Sequence, residues 1–167
     1  FVYFRGEYHL FYQYYPYGSF WGPMHWGHAK TKDFVSWEHL PVALAPDKPY
    51  DKDGCFSGSA LVKDDTLWLM YTGHIVHEDG RVTQVQNIAY STDGIHFEKI
   101  EENPVATGDI LPSDLIAADF RDPKLFEKDG HYYAVVAAKH KDERGTVVLL
   151  GSDDLRNWHF ESIFLKG

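Results

Sequence analysis

The sequence predicts an all-β chain of three four-stranded β-propeller blades, and three observations predict it. An aspartate stands four residues before an aromatic ring at Asp33/Trp37, Asp93/Phe97 and Asp154/Trp158, at intervals of 60 and 61 residues. Each pair closes a run of short apolar and aromatic segments separated by Gly and Asp turn signals. Aromatics make up 16% of the chain, with 11 Tyr, 11 Phe and 5 Trp, which suits packed β-structure. Four short strands per repeat, covered on both faces, is the pattern of a propeller blade. A plain β-sandwich also gives many strands but no such period. The blades are expected at about 1–45, 55–105 and 120–165.

In the first blade, Phe1–Phe4, the turn Arg5-Gly6-Glu7 and Tyr8–Tyr15 read as strand, tight turn, strand. The second of these strands is apolar or aromatic at successive positions, so both of its faces should be covered. A loop rich in Gly, Pro and aromatics, Pro16–Pro23, precedes a third strand at Met24–Thr31. The turn at Asp33 then leads to a short fourth strand, Trp37–Pro41. The order returns at Ser59–Val62, Thr66–Tyr71, Asn87–Ser91 and Phe97–Ile100. It returns once more at Lys124–Phe126, His131–Val136, Thr146–Leu150 and Trp158–Phe160. The repeated aspartate can bond nearby backbone N–H groups while its aromatic partner packs between blades. His74–Thr83 and Glu101–Ala118 are left as the longest loops.

Composition removes several functions. A net charge of −9 argues against nucleic acid and anionic membranes, since both need clustered Lys and Arg. No uninterrupted apolar span is long enough for a membrane helix, and no leader sequence is visible. One cysteine, Cys55, rules out an internal disulfide and favours a reducing, cytoplasmic setting. Cys55 itself reads as a small buried filler rather than a nucleophile. His25/His28 and His74/His77 can be written as ligand pairs, but with no cysteine cluster and no His-Glu-X-X-His, no metal is expected. No Gly-rich phosphate loop is present, and no cofactor is expected. Propellers usually hold four to eight blades, and this chain begins in mid-strand, so it is expected to be part of a longer protein.

In a propeller the first strand of each blade lines the central axis, so chemistry is sought where those strands begin. In the third blade that place holds Arg121-Asp122-Pro123, and in the second Gly54-Cys55-Phe56-Ser57-Gly58-Ser59. Pro123 has no N–H and a fixed φ, so it is expected as the first residue of its strand, with Arg121 and Asp122 at the mouth. Trp26, Trp68 and Trp158 are expected to pack between blades rather than meet ligand.

Five ordered motifs, Tyr8–Gln13, Trp21–His28, Trp37–Pro41, Phe56–Ser59 and Phe120–Pro123, resemble glycoside hydrolase family 32. That family contains the invertases, sucrose-6-phosphate hydrolases, levanases and inulinases. The resemblance implies a five-bladed propeller, of which about three blades are present, without the family's C-terminal β-sandwich. It implies retaining hydrolysis of β-D-fructofuranosides, with sucrose or sucrose 6-phosphate ahead of short fructans. Asp122 matches the aspartate that binds fructose hydroxyls and stabilises the transition state, with Arg121 beside it in the same pocket. Gln13, Trp21, Phe56 and Ser57 match positions that contact the fructosyl unit. The family's nucleophile belongs to an Asn-Asp-Pro-Asn-Gly motif expected just before Phe1, and its acid/base to a Glu-Cys motif expected after Gly167. These 167 residues alone are therefore expected to be inactive. The alternatives are a related five-bladed glycosidase acting on arabinan or xylan, and a non-catalytic sugar-binding propeller.

Overall fold

A computed structural model describes residues 1–167. Twelve strands form three four-stranded antiparallel sheets, and the only helix is a single 3-10 turn, Gly108–Ile110. The first sheet holds β1 (Val2–Phe4), β2 (Glu7–Tyr14), β3 (His25–Thr31) and β4 (Glu38–Leu44) in sequence order. The second holds β5 (Cys55–Lys63), β6 (Thr66–Val76), β7 (Val82–Ser91) and β8 (Glu98–Lys99). The third holds β9 (Leu115–Lys128), β10 (His131–His140), β11 (Gly145–Ser152) and β12 (His159–Lys166). These are three blades of a β-propeller. No helix is long and apolar enough to cross a membrane.

Local chemistry explains why the sheets repeat. The first hairpin of each blade turns through two residues, Arg5-Gly6, Asp64-Asp65 and Asp129-Gly130, all six at positive φ. That is the type I′ turn, whose twist matches that of the strands it joins. The second recurring turn is built on the aspartate that set the period. Oδ1 of Asp33 accepts the N–H groups of Val35 and Ser36; Asp93 does the same for Ile95 and His96, and Asp154 for Arg156 and Asn157. A hydroxyl two residues earlier, on Thr31, Ser91 or Ser152, donates to that same Oδ1. The residue after each aspartate, Phe34, Gly94 or Leu155, takes positive φ. The backbone and hydroxyl donors hold Asp33 and Asp154 at pKa values of about 2, although burial of Asp154 opposes this. Phe97 and Trp158 join the cores between blades, whereas Trp37 is only half-buried and sits edge-on to Phe1.

Blades pack on one another through two cores. Seven buried residues, including Trp26, Leu44, Leu69 and Tyr71, join the first blade to the second. Fifteen, including Met70, Ile88, Phe120, Leu125 and Trp158, join the second to the third.

Two expectations are corrected. Pro123 does not begin its strand, because β9 runs from Leu115 straight through it. β9 is the edge strand of its sheet and is bulged here, so the missing N–H breaks no ladder bond. The segment His74–Thr83 is mostly not loop, since β6 and β7 extend into it and pair from Val76↔Val82 inward. Likewise β9 has already begun within Glu101–Ala118.

Candidate active site

Of the six expected site residues, Phe56, Ser57, Arg121 and Asp122 sit on irregularities of β5 and β9, the first strands of their blades, while Gln13 lies on β2 and Trp21 in the loop before β3. In β5 the ladder to β6 slips between Cys55 and Gly58. A Cβ on Gly58 would lie 2.0 Å from the Met70 carbonyl oxygen, so only glycine admits this approach. Phe56 and Ser57 are thereby lifted out of the ladder. Two side chains of the first blade hold them: Gln13 Nε2 donates to the Cys55 carbonyl at 3.0 Å and Trp26 Nε1 to the Phe56 carbonyl at 2.9 Å. A cleft of about 100 Å³ opens beside this bulge, lined by Gln13, Ser57, Phe11, Trp26 and Ser59. Trp21 is 72% exposed and meets the Phe56 ring edge-on, with centroids 5.8 Å apart. The Phe56 ring also stacks on His74, with centroids 4.1 Å apart and planes 11° from parallel.

The second irregularity is in β9. Its register to β10 shifts between Lys124↔Val135 and Arg121↔Ala137, leaving Asp122 and Pro123 in the bulge. Asp122 takes φ +62°, a conformation that Asp tolerates better than most residues. Its N–H donates to Thr72 Oγ1 at 3.0 Å. Its carboxylate is half-exposed, with Arg121 Nε 3.9 Å away. The closer partner of Arg121 is Asp119, at 3.0 Å, so Arg121 is braced from behind rather than forked onto Asp122.

The six residues expected at the site therefore form two groups. Gln13, Trp21, Phe56 and Ser57 gather where the first blade meets the second, and Arg121 and Asp122 stand on the third. His74 lies between them. Burial lowers its imidazole pKa, Asp53 opposes this, and the Arg121 charge adds to the lowering. Ser59 ties the groups together, because its Oγ accepts the Leu125 N–H at 2.7 Å.

Four further residues contact the expected site residues or the backbone beside them. Trp26 was expected to pack, and it does, at 4% exposure, but it also holds the Phe56 carbonyl. His74, Thr72 and Gln86 carried no sequence motif. The repeat does point to two of them: Gln13 pairs with Trp26 across β2/β3, and Thr72 with Gln86 at the same place in β6/β7. Cys55 is fully buried, and burial together with Asp51 pushes its thiol pKa well up, which suits a filler. The histidine pairs written as metal ligands separate: His28 bonds His9 at 2.9 Å, and His77 bonds Thr83. No three His, Cys, Asp or Glu side chains converge as a metal site.

Known proteins resemble this chain in sequence and fold. The glycosyl hydrolases family 32 N-terminal domain matches residues 1–167. A sucrose-6-phosphate hydrolase of Zymomonas mobilis is 47% identical over 98% of this chain and 32% of its own length. A raffinose invertase of Escherichia coli is 44% identical over 97% of this chain and 33% of its own. The solved β-fructofuranosidase of Bombyx mori superposes with a TM-score of 0.87 at 43% identity, over 99% of this chain and 34% of that one. The chain thus spans about a third of the length of these relatives. Matched along residues 1–167 by the family's own domain, the chain belongs to the family 32 glycosyl hydrolases.

Proposed function

We propose that this domain is the propeller part of a retaining β-fructofuranosidase that releases fructose from sucrose or sucrose 6-phosphate. The observation that carries it is Asp122, a half-exposed carboxylate in the β9 bulge beside Arg121, on a strand tied through Leu125 and Ser59 to β5, which carries Phe56 and Ser57. Retaining hydrolysis uses two carboxyl groups about 5 Å apart, one attacking the anomeric carbon and one protonating the leaving oxygen. Those two come from parts of the protein outside residues 1–167. Asp122 is the third carboxylate: it grips fructose hydroxyls and offsets the charge of the oxocarbenium-like transition state. Gln13 and Ser57 offer donors and acceptors to the sugar, and Trp21 and Phe56 offer apolar faces. Within this proposal residues 1–167 are one partial catalytic domain, its blades at about 1–45, 55–105 and 120–165. The substrate reading is supported by the sucrose-6-phosphate hydrolases and the raffinose invertase among the relatives, and by a Bombyx mori structure holding sucrose. A Bacillus subtilis levanase 45% identical to this chain supports short fructans as secondary substrates. The single cysteine supports a cytoplasmic setting.

The test is steady-state kinetics of the complete polypeptide on sucrose, sucrose 6-phosphate and inulin. Asp122→Asn should lower kcat by about 10²–10³-fold with a smaller change in KM, the loss expected for one preorganised electrostatic contact. A well-folded Asp122→Asn protein with near-normal kcat would remove Asp122 from the site. Comparable turnover of sucrose and long inulin would overturn the substrate preference.

A further inference from the structure

Asp122 owes little of its position to its own side chain. Its nearest cation is 3.9 Å away, and the bulge deprives it of ladder partners on β10. The next residue, Pro123, has no N–H to anchor it. What holds the segment comes from the neighbouring blade. Gln86 Nε2 donates to the Phe120 carbonyl at 2.8 Å, and Thr72 Oγ1 accepts the Asp122 N–H at 3.0 Å. Thr72 Oγ1 in turn donates to Gln86 Oε1 at 2.7 Å. Thr72, Gln86 and Phe120 are all 0% exposed.

The relay has one consistent direction. Because the hydroxyl proton is committed to Gln86 Oε1, an Oγ1 lone pair is left for the Asp122 N–H. Because Oε1 faces that hydroxyl, the amide nitrogen must face the Phe120 carbonyl; the flipped amide would set its oxygen against that carbonyl oxygen. Backbone groups two residues apart, on either side of Arg121, are thus fixed by a rigid cross-strand pair.

Nothing in the fold demands a polar pair there. The equivalent cross-strand position in the third blade is Ala137↔Val147, which is apolar. In the first blade Gln13 and Trp26 hold two carbonyls, of Cys55 and Phe56. Only the second blade supplies an acceptor, and it receives the N–H of the carboxylate residue itself. We propose that Thr72 and Gln86 are positioning residues that aim the Asp122 carboxylate at the sugar; the proposal rests on the fructosidase reading of the site.

The experiment compares wild type, Thr72→Val, Thr72→Ser and Gln86→Met in the complete polypeptide, with sucrose and sucrose 6-phosphate as substrates. Val matches Thr in shape but lacks the hydroxyl, Ser restores it, and Met removes the amide with little loss of volume. Thr72→Val should lower kcat about 10–10²-fold, the cost of a small misplacement of a reacting group. KM should stay within about threefold, since the lost alignment matters most in the transition state. Thr72→Ser should recover most of the rate, and Gln86→Met should resemble Thr72→Val. Amide exchange at Asp122 should accelerate in Thr72→Val and not in Thr72→Ser, a readout independent of turnover. Unchanged kcat in a folded Thr72→Val protein, equal losses in the Val and Ser variants, or a change confined to KM would each overturn the role. A wild-type protein that frees no fructose from either sugar would instead overturn the functional reading, and this role with it.

Discussion

Between the first and second blades, Lys99 Nζ lies 2.5 Å from Asp51 Oδ2, 2.6 Å from Asp47 Oδ1 and 2.6 Å from the Ala45 carbonyl. The Tyr71 hydroxyl donates to the same Asp51 oxygen at 2.7 Å, and Asp51 has no exposed surface. Between the second and third blades the linker is held differently. The Asn103 side chain bonds both the N–H and the C=O of Ile88, and the Ala106 carbonyl accepts the Gln86 N–H. Behind that lies the fifteen-residue core, against seven at the first seam. One seam is closed by a buried ionic knot, the other by apolar area. A buried ion pair resists the loss of one partner far more than it adds net stability, because each ion alone is costly in a low-dielectric interior. An apolar core loses stability in proportion to the volume removed. The two seams should therefore fail under different conditions, and the site residues are divided between them.

The largest effect should come from cutting the knot. Lys99→Met leaves Asp51 buried without its cation and should cost about 3–5 kcal/mol, read as faster amide exchange in β3 and β5 while β9–β11 keep their protection. Adding Asp51→Asn should recover part of the loss. Exchange spreading equally across both seams would show that they do not open separately. Next in size, Met70→Ala at the apolar seam should cost about 2–5 kcal/mol, and the cost should be the same at pH 7 and pH 5. A strongly pH-dependent cost there would break the contrast.

The sequence exposes what is local and hides what is not. The three turn aspartates and the three hairpin turns are visible because each is decided by neighbours within a few residues: a hydroxyl, a carboxylate, a residue able to take positive φ. Pro123 misleads for the same reason. Read locally it begins a strand, and only its place on a bulged edge lets β9 run through it from Leu115. Phe56-Ser57-Gly58 hides the start of β5, because a bulge interrupts the alternation that marks a strand. Lys99 and Asp51 look like solvated charges, since their burial depends on a linker folding over them. Thr72 and Gln86 look like ordinary strand residues, and their partner lies 34 to 50 positions away on another blade. The Arg-Asp-Pro motif singles out Asp122 in the sequence, whereas nothing local singles out the Thr72 hydroxyl that receives its N–H.

A third, smaller effect concerns pH. His28 bonds His9 at 2.9 Å and stacks on Phe11 at 4.4 Å, fully buried at the first seam. Burial, helped by the nearby His9 and Lys30 charges, lowers its pKa to about 3. An unfolded imidazole titrates near 6.5, so between those values the opened state binds a proton that the closed state refuses. The contribution is complete above pH 6.5 and is lost as the pH falls toward 3, at no more than about 1.4 kcal/mol per pH unit for one proton. Amide exchange at the first seam should quicken from pH 7 to 5, after correction for intrinsic rates, and His28→Leu should flatten that slope. An unchanged slope in His28→Leu would assign the acid sensitivity to other groups.

The smallest effect tests whether charge at the surface of the first seam matters as it does inside. Arg5 Nε reaches Asp65 Oδ1 at 2.8 Å, joining the hairpin turn of the first blade to that of the second. Both side chains are largely exposed, so solvent and salt screen the pair. Asp65 also sits at φ +54°, where the matching turns carry Gly6 and Gly130. Asp65→Gly therefore removes the bridge but gives the type I′ turn the residue it favours. Screening makes the first term weak, and relief of the left-handed backbone opposes it. The expected outcome is first-seam amide exchange equal to or slower than wild type, unaffected by added salt. A clear, salt-dependent loss of protection would mean that the exposed bridge closes this seam together with Lys99, and the division between an ionic interior and an indifferent rim would have to be abandoned.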